Sequence, residues 1–286
     1  QVGSDIDGEA ASDQSGYSVS MSSDGTRVAI GARRNDDTGS NAGHVRVYSE
    51  SSGSWSQVGS DIDGEAAGDN SGYSVSISSD GARVAIGAPF NDGTGSEAGH
   101  VRVYDWNSGT SVWTQVGPDI DGEAAGDESG WSVSMSSDGT RVAIGARGND
   151  GDAGHVRVYS ESSGLWSQVG SDIDGEAAGD QSGYSVSMSS DGTRVAIGAY
   201  SNDGTGSYSG HTRVYSLGAF LGTSGGSEDR LLNISSSDQA FSGHVANKRS
   251  DYRFVKNIRF ECNGKRMFDH TGKYLAYEQS LIHHTG

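Results

Sequence analysis

The chain has 286 residues, among them 45 Gly, 2 Pro and a single Cys, and a formal net charge of −18. One Cys cannot staple the chain by itself, no apolar run approaches the ~18 residues of a membrane-spanning helix, and so acidic a surface repels nucleic acid. What remains is an acidic, β-rich chain whose apolar residues fall in short alternating runs.

The opening run, Gln1-Val2-Gly3-Ser4-Asp5-Ile6-Asp7-Gly8-Glu9-Ala10, returns nearly unchanged at Gln57, Gln115 and Gln168. Successive starts lie 56, 58 and 53 residues apart, and the differences sit in loops. Repetition at this spacing marks a repeat architecture, here units 1–56, 57–114, 115–167 and 168–218. The second copy shows the expected elements in order. Tyr73-Ser74-Val75-Ser76-Ile77 alternates large apolar residues with Ser, the period of a strand. Asp80-Gly81 supplies a hairpin turn, since both residues tolerate positive φ. Arg83 to Ala88 is the second strand, Gly99 to Tyr104 the third after a polar loop, and Trp113 to Ile120 the fourth. Nothing in the repeats carries a 3.6-residue period, so almost no helix is expected there.

A four-stranded sheet that is large on one face and small on the other buries its faces by stacking, the large face of one sheet on the small face of the next. Units of 53–58 residues favour four-stranded propeller blades over solenoid coils. The fold class is therefore all-β, a β-propeller of four-stranded antiparallel blades with a small C-terminal appendage. The fourth unit lacks its own fourth strand, and Gln1 to Ile6 is placed to supply it and close a ring of four. A piece of a larger propeller is the other possibility, since the chain starts just past the position of Trp55, Trp113 and Trp166 in the copies and has no initiator Met.

Residues 1–218 hold 11 Arg, no Lys and 31 acidic residues, whereas 219–286 hold 9 basic and 7 acidic residues and the Cys. The Gly/Ser-rich stretch 219–227 reads as a linker. In the tail, 228–286, Ile258 to Phe268 suggests a hairpin turning on Asn263-Gly264, and Lys273 to His284 a short helix.

The repeated signature Ser-Gly-Tyr-Ser-Val-Ser-(Met/Ile)-Ser-Ser-Asp-Gly-(Thr/Ala)-Arg-Val-Ala-Ile-Gly-Ala, completed by Pro89 in Gly87-Ala88-Pro89, resembles the FG-GAP repeat, the blade unit of integrin α-subunit propellers and many microbial surface proteins. The family's Phe-Gly corresponds to Ser15-Gly16, Ser71-Gly72, Ser129-Gly130 and Ser182-Gly183. Gly-Ala-Pro is complete only in the second unit; the other copies read Gly-Ala-Arg or Gly-Ala-Tyr. The resemblance covers 1–218. It implies a surface-exposed adhesion or ligand-binding scaffold rather than a chemistry. Family propellers usually have seven blades. The family's calcium loop, Asp-x-Asp-x-Asp-Gly, is here only Ser-Ser-Asp-Gly, so that site does not carry over.

Four acidic runs are candidate cation sites: Asp5, Asp7, Glu9 and Asp13; Asp61, Asp63, Glu65 and Asp69; Asp119, Asp121, Glu123 and Asp127; Asp172, Asp174, Glu176 and Asp180. Calcium takes six to eight oxygens from a bent loop, and each run offers carboxylates beside a Gly. The alternative is that these carboxylates accept backbone N–H bonds in a turn. The loops between second and third strands, at Asn35-Asp36, Asn91-Asp92, Asn149-Asp150 and Asn202-Asp203, are candidate ligand loops, together with Trp106, read as a loop residue. His44, His100, His155 and His211 recur once per unit and read as structural, with Arg102 on the same strand face available to inter-blade acids. The remaining Trp residues read as blade packing.

No nucleophile elbow or zinc-protease motif is present, and near-identical units leave no unit set apart for catalysis. The expected function is a non-catalytic extracellular or cell-surface scaffold that binds a protein or glycan, with calcium as a possible aid and without nucleic acid or membrane insertion. The alternatives are a polysaccharide-active hydrolase or lyase, and a ligand-free structural repeat from a larger surface protein.

Overall fold

The computed structural model describes residues 1–217, 256–262 and 265–271. The expected linker and the Lys273–His284 helix lie outside the described residues. Residues Gln1–Leu221 and Gly222–Gly286 form separate units.

The first unit of the fold is all-β and holds four antiparallel sheets. Sheet one contains β1 (Ser15–Met21), β2 (Arg27–Ala32), β3 (His44–Ser51), β4 (Ser54–Gln57) and β5 (Ile62–Asp63). Sheet two contains β6 (Ser74–Ile77), β7 (Arg83–Ala88), β8 (His100–Asn107), β9 (Val112–Gln115) and β10 (Ile120–Asp121). Sheet three contains β11 (Ser129–Met135), β12 (Arg141–Ala146), β13 (His155–Ser162), β14 (Leu165–Gln168) and β15 (Ile173–Asp174), with a single helical turn, α1 (Asn149–Asp152), before β13. Sheet four is β16 (Ser182–Met188), β17 (Arg194–Ala199) and β18 (His211–Ser216).

The expected fourth strand is split. β4 pairs with the end of β3 and β5 with its beginning, along the same edge. Between them Gly59 adopts φ +78°, which breaks the extended run. The Asp-Gly turns form as expected, and within them only the Gly is left-handed, as at Gly81 (φ +69°). Asp80 serves instead as an acceptor: its Oδ1 takes the Ser78 hydroxyl at 2.6 Å and the Ala82 amide at 2.9 Å.

The sheets stack large face on small face. One apolar cluster joins Ala29, Val45 and Val47 of sheet one to Val75, Ile77, Val84 and Ile86 of sheet two. The second joins Ala85, Val101 and Val103 to Met135, Val142 and Ile144, and the third joins Ala143, Val156 and Val158 to Val195 and Ile197. The alternating Ser residues bond across these interfaces. Ser18, Ser74 and Ser132 each donate a hydroxyl to the carbonyl of Gly72, Gly130 or Gly183 in the next sheet, at 2.7 Å. Ser20, Ser76 and Ser134 accept the amides of Ile77, Met135 and Met188 at 2.9–3.0 Å. The Ser-bearing face of β1, β6 and β11 is thus bonded to the next unit.

Ring closure through Gln1 to Ile6 is not observed. That segment forms no strand, and sheet four keeps three strands. The Val2 carbonyl instead accepts the Trp55 indole N–H at 2.9 Å, as Val58 and Val116 accept those of Trp113 and Trp166. Gln1 to Ile6 therefore lies against the first unit. With no sheet before it, sheet one leaves Tyr17, Val19 and Met21 exposed.

In the second unit of the fold, β19 (Lys256–Cys262) and β20 (Lys265–Thr271) pair antiparallel, with Cys262 opposite Lys265. This is the expected hairpin; Asn263 and Gly264 themselves lie outside the described residues.

Candidate functional site

Each unit places an aromatic residue directly after its Ser-Gly pair, at Tyr17, Tyr73, Trp131 and Tyr184. Stacking brings these rings into one row, with centroids separated by 5.0, 4.5 and 5.7 Å, and Tyr200 continues it 4.4 Å beyond Tyr184. Phe90 stands edge-on to Tyr73 and Trp131 at 6.0 and 6.4 Å. The Arg33 guanidinium lies 4.1 Å from the Tyr17 ring centre and Arg147 3.5 Å from that of Trp131, within cation–π range. Hydrogen bonds fix both cations: Arg33 Nε donates to Gln14 at 2.9 Å and Arg147 Nε to Glu128 at 2.6 Å. Burial pushes the Glu128 carboxyl up, and Arg147 draws it back. Burial, followed by the Tyr17 hydroxyl, holds the Tyr73 phenol protonated well beyond the ordinary tyrosine range. The rings toward the two ends are open to solvent, with Tyr17 45%, Tyr184 39% and Tyr200 51% exposed. An open cleft of about 540 Å³ adjoins the row, lined by Arg33, Arg34, Asn41, Asn70, Phe90 and Glu97.

The acidic runs divide their carboxylates among separate tasks. The first Asp accepts a Gln side chain four residues earlier, as Asp61 does from Gln57 at 2.5 Å and Asp119 from Gln115 at 2.6 Å. The last Asp is buried; Asp69 accepts the Ala66 amide at 3.2 Å and the Asn91 side chain at 2.9 Å. The Glu meets the strand Arg, with Glu65 3.3 Å from Arg102. The Glu65 contact is the expected pairing of this Arg with an acid, and the Arg also donates to the Asp63 backbone carbonyl at 2.7 Å. Asp63 and Asp121 are lifted above the usual carboxylate range by burial, then by the charges of Asp61 and Asp119.

Among the described residues no single run gathers three of its own carboxylates at ion-binding distance. The groups that do converge combine the Glu of one run, the His of the unit and the first Asp of the next run: Glu9 with Asp37, His44 and Asp61; Glu65 with His100 and Asp119; Glu123 with His155 and Asp172. These His side chains are buried. Burial, then Arg102, lowers the pKa of His100 to about 4, and burial, then Arg157, lowers that of His155.

Three segments, 6–48, 61–104 and 172–215, match the model of the FG-GAP repeat. These three segments are FG-GAP repeats. The third copy lies outside the matched segments, yet its sheet has the strand pairing of the first. No curated protein matches the chain. Similar solved structures include TolB from Acinetobacter baumannii, at 14% identity and a TM-score of 0.42, over 70% of this chain and 40% of that one. A putative 6-phosphogluconolactonase from Bacteroides uniformis ATCC 8492 matches at 12% identity and a TM-score of 0.43, over 73% of this chain and 69% of that one.

The geometry accounts for both glycines of the FG-GAP motif. The Gly of each Ser-Gly pair is left-handed, with φ between +82° and +89° at Gly16, Gly72, Gly130 and Gly183. It also meets the Gly-Ala glycine of the preceding unit: a Cβ on Gly72 would lie 3.1 Å from the Gly31 Cα, and one on Gly130 3.1 Å from the Gly87 Cα. The two halves of the motif thus touch each other across the sheet interface.

The Asn residues of the candidate ligand loops turn inward. Asn35, Asn91 and Asn202 are buried, and all four, Asn149 included, donate to the last Asp of the acidic run, on Asp13, Asp69, Asp127 or Asp180. Asp36, Asp92 and Asp203 brace their loops by accepting the amides of Asn41, Glu97 and Tyr208. Asp150 is exposed within α1. Trp106 is not a loop residue. It lies in β8, packed 5.3 Å from Trp113 against the first apolar cluster. The three residues that replace the Pro of Gly-Ala-Pro, Arg33, Arg147 and Tyr200, all reach the aromatic row.

Proposed function

We propose that this chain is a non-catalytic, β-propeller-type scaffold that binds a glycan at an extracellular or cell-surface location, its stacked sheets serving as consecutive blades. The observation that carries this reading is the continuous row Tyr17, Tyr73, Trp131, Tyr184 and Tyr200, flanked by Arg33 and Arg147. Exposed aromatic patches of this extent mark interaction sites in soluble folds. Ring faces suit the C–H faces of sugars, and guanidinium forks suit hydroxyls and carboxylates. Rigid sheets set the spacing, so binding needs little ordering of the platform. The extracellular assignment draws on the acidic, Cys-free repeats and on the occurrence of FG-GAP repeats in surface proteins.

The test is a panel of neutral and uronic-acid oligosaccharides, screened on an array and followed by calorimetry and product analysis. The reading expects saturable binding with the glycan recovered intact. Cleavage of the glycan would replace it with the hydrolase or lyase alternative, and failure of every glycan to bind would overturn it.

A further inference from the structure

We propose that Glu9, Asp37, His44 and Asp61 form a binding site for one divalent transition-metal cation, of the zinc class. His44 is 1% exposed, and its Nδ1 has no hydrogen-bond partner. That nitrogen faces three carboxylate oxygens, Asp61 Oδ2 at 3.7 Å, Glu9 Oε2 at 3.8 Å and Asp37 Oδ2 at 3.9 Å. All four atoms lie within 4.8 Å of one another. The three distances from Nδ1 are too long for hydrogen bonds but only a few tenths of an ångström wider than the ~3.3–3.5 Å between ligands of a tetrahedral ion held at ~2.0–2.1 Å, and the carboxylates have only to draw together around the ion.

The surroundings fit the charge. Arg46 Nη1 lies 3.3 Å from Glu9 Oε1, and its Nη2 donates to the Asp7 carbonyl at 2.8 Å, so the second Glu9 oxygen is turned to His44. Three carboxylates against one guanidinium leave two negative charges, which a divalent ion balances. An imidazole nitrogen among the donors favours zinc-class ions over calcium, which takes oxygen ligands. The first unit is also set apart in sequence. It reads Asn35-Asp36-Asp37, whereas the other copies have Gly93, Gly151 and Gly204 where Asp37 stands. The equivalent groups at His100 and His155 accordingly bring only three donors together. The site shares no residue with the aromatic row and does not depend on the glycan reading.

The experiment is calorimetry of the full chain, freed of metal by a chelator, with Zn²⁺ and separately with Ca²⁺. It is repeated on Asp37→Gly, which installs the residue of the other units, and on His44→Gln. Melting of each metal-free protein checks the fold. The expected result is saturable zinc binding with a raised melting temperature, weakened at least tenfold by Asp37→Gly while the metal-free melt stays unchanged. If His44→Gln lowers the metal-free melt, Asp37→Gly alone decides. Absence of zinc binding would overturn the proposal, as would calcium binding of equal strength. Zinc binding unmoved by Asp37→Gly would also overturn it, because the ion would then sit elsewhere, for instance at the His100 or His155 group.

Discussion

Replacing Gly87 by Ala asks whether the units are held by the close approach of two glycines across a sheet interface. A Cβ at Gly87 would lie 3.0 Å from the Gly130 carbonyl carbon, closer still to its oxygen, and would crowd the Ser74 hydroxyl. The obstacle is backbone of the next sheet, so the sheets must part. Overpacking of this kind costs about 1–3 kcal/mol. Parting also breaks the 2.7 Å bond from Ser74 to Gly130, worth about 1 kcal/mol. A loss of about 3 kcal/mol lowers Tm by roughly 6–12 °C in a fold of this size. Gly198 is the internal control. It holds the same position in sheet four, but a Cβ there would crowd only the rotatable Ser185 hydroxyl, the next atoms lying at 3.7 and 3.8 Å. Gly198→Ala should therefore cost under about 1 kcal/mol, a shift of no more than about 4 °C. Thermal melting of the two variants beside the parent decides. Equal effects would refute the stacking account, since the two positions differ only in whether a further sheet faces them.

Asp69→Ala should destabilise by about 1–3 kcal/mol in denaturant titration, because it strands the buried Asn91 side chain and the Ala66 amide. Arg83→Lys should cost about 1 kcal/mol, since a lysine cannot reproduce the paired bonds to Asp105 at 2.6 and 2.8 Å and also reach the Gly139 carbonyl at 3.0 Å; chemical denaturation reads the difference. The Asp191 carboxyl is lowered to about 2, first by the Ser189 hydroxyl and then by the Thr193 amide, and Asp80 is lowered by its Ser78 and Ala82 partners. A carboxyl depressed on folding stabilises above its unfolded pKa of about 4, and that contribution is lost as pH falls toward the folded value. Asp80→Asn and Asp191→Asn should therefore narrow the gap between melting temperatures at pH 5 and pH 2.5, and an unchanged gap would contradict the assignment.

The four units, the order of their strands and the stacking of large on small faces were legible because each follows from local periodicity. Val75 and Ile77 alternate with Ser74 and Ser76 within a few residues of chain. The split fourth strand was less legible, because one left-handed residue, Gly59, decides it. The metal-type groups were hidden for a different reason. Glu9, His44 and Asp61 belong to distant parts of the chain and converge only when the second run folds back along the edge of β3. Reading the acidic runs as local loops missed His44 and Asp37. The aromatic row likewise needs the stack, yet its signal was present: an aromatic follows Ser-Gly in all four units, and the breaks in Gly-Ala-Pro fall on the residues beside it. Trp106 was misplaced because Asn107, Ser108 and Gly109 give its neighbourhood a loop composition, while packing against Trp113 extends β8 through it.

The most direct measurement compares glycan binding by Trp131→Ala and Trp106→Ala, using the tightest oligosaccharide from the panel and calorimetry at matched folded fractions. Trp131 lies in the centre of the row beneath Arg147, whereas Trp106 packs against Trp113. If a sugar face on the ring is worth what a stacked base is, about 1–3 kcal/mol, loss of the ring weakens binding about 5- to 150-fold. The account predicts that loss for Trp131→Ala and parent-like affinity for Trp106→Ala. Parent-like affinity in Trp131→Ala, or a loss confined to Trp106→Ala, would contradict it.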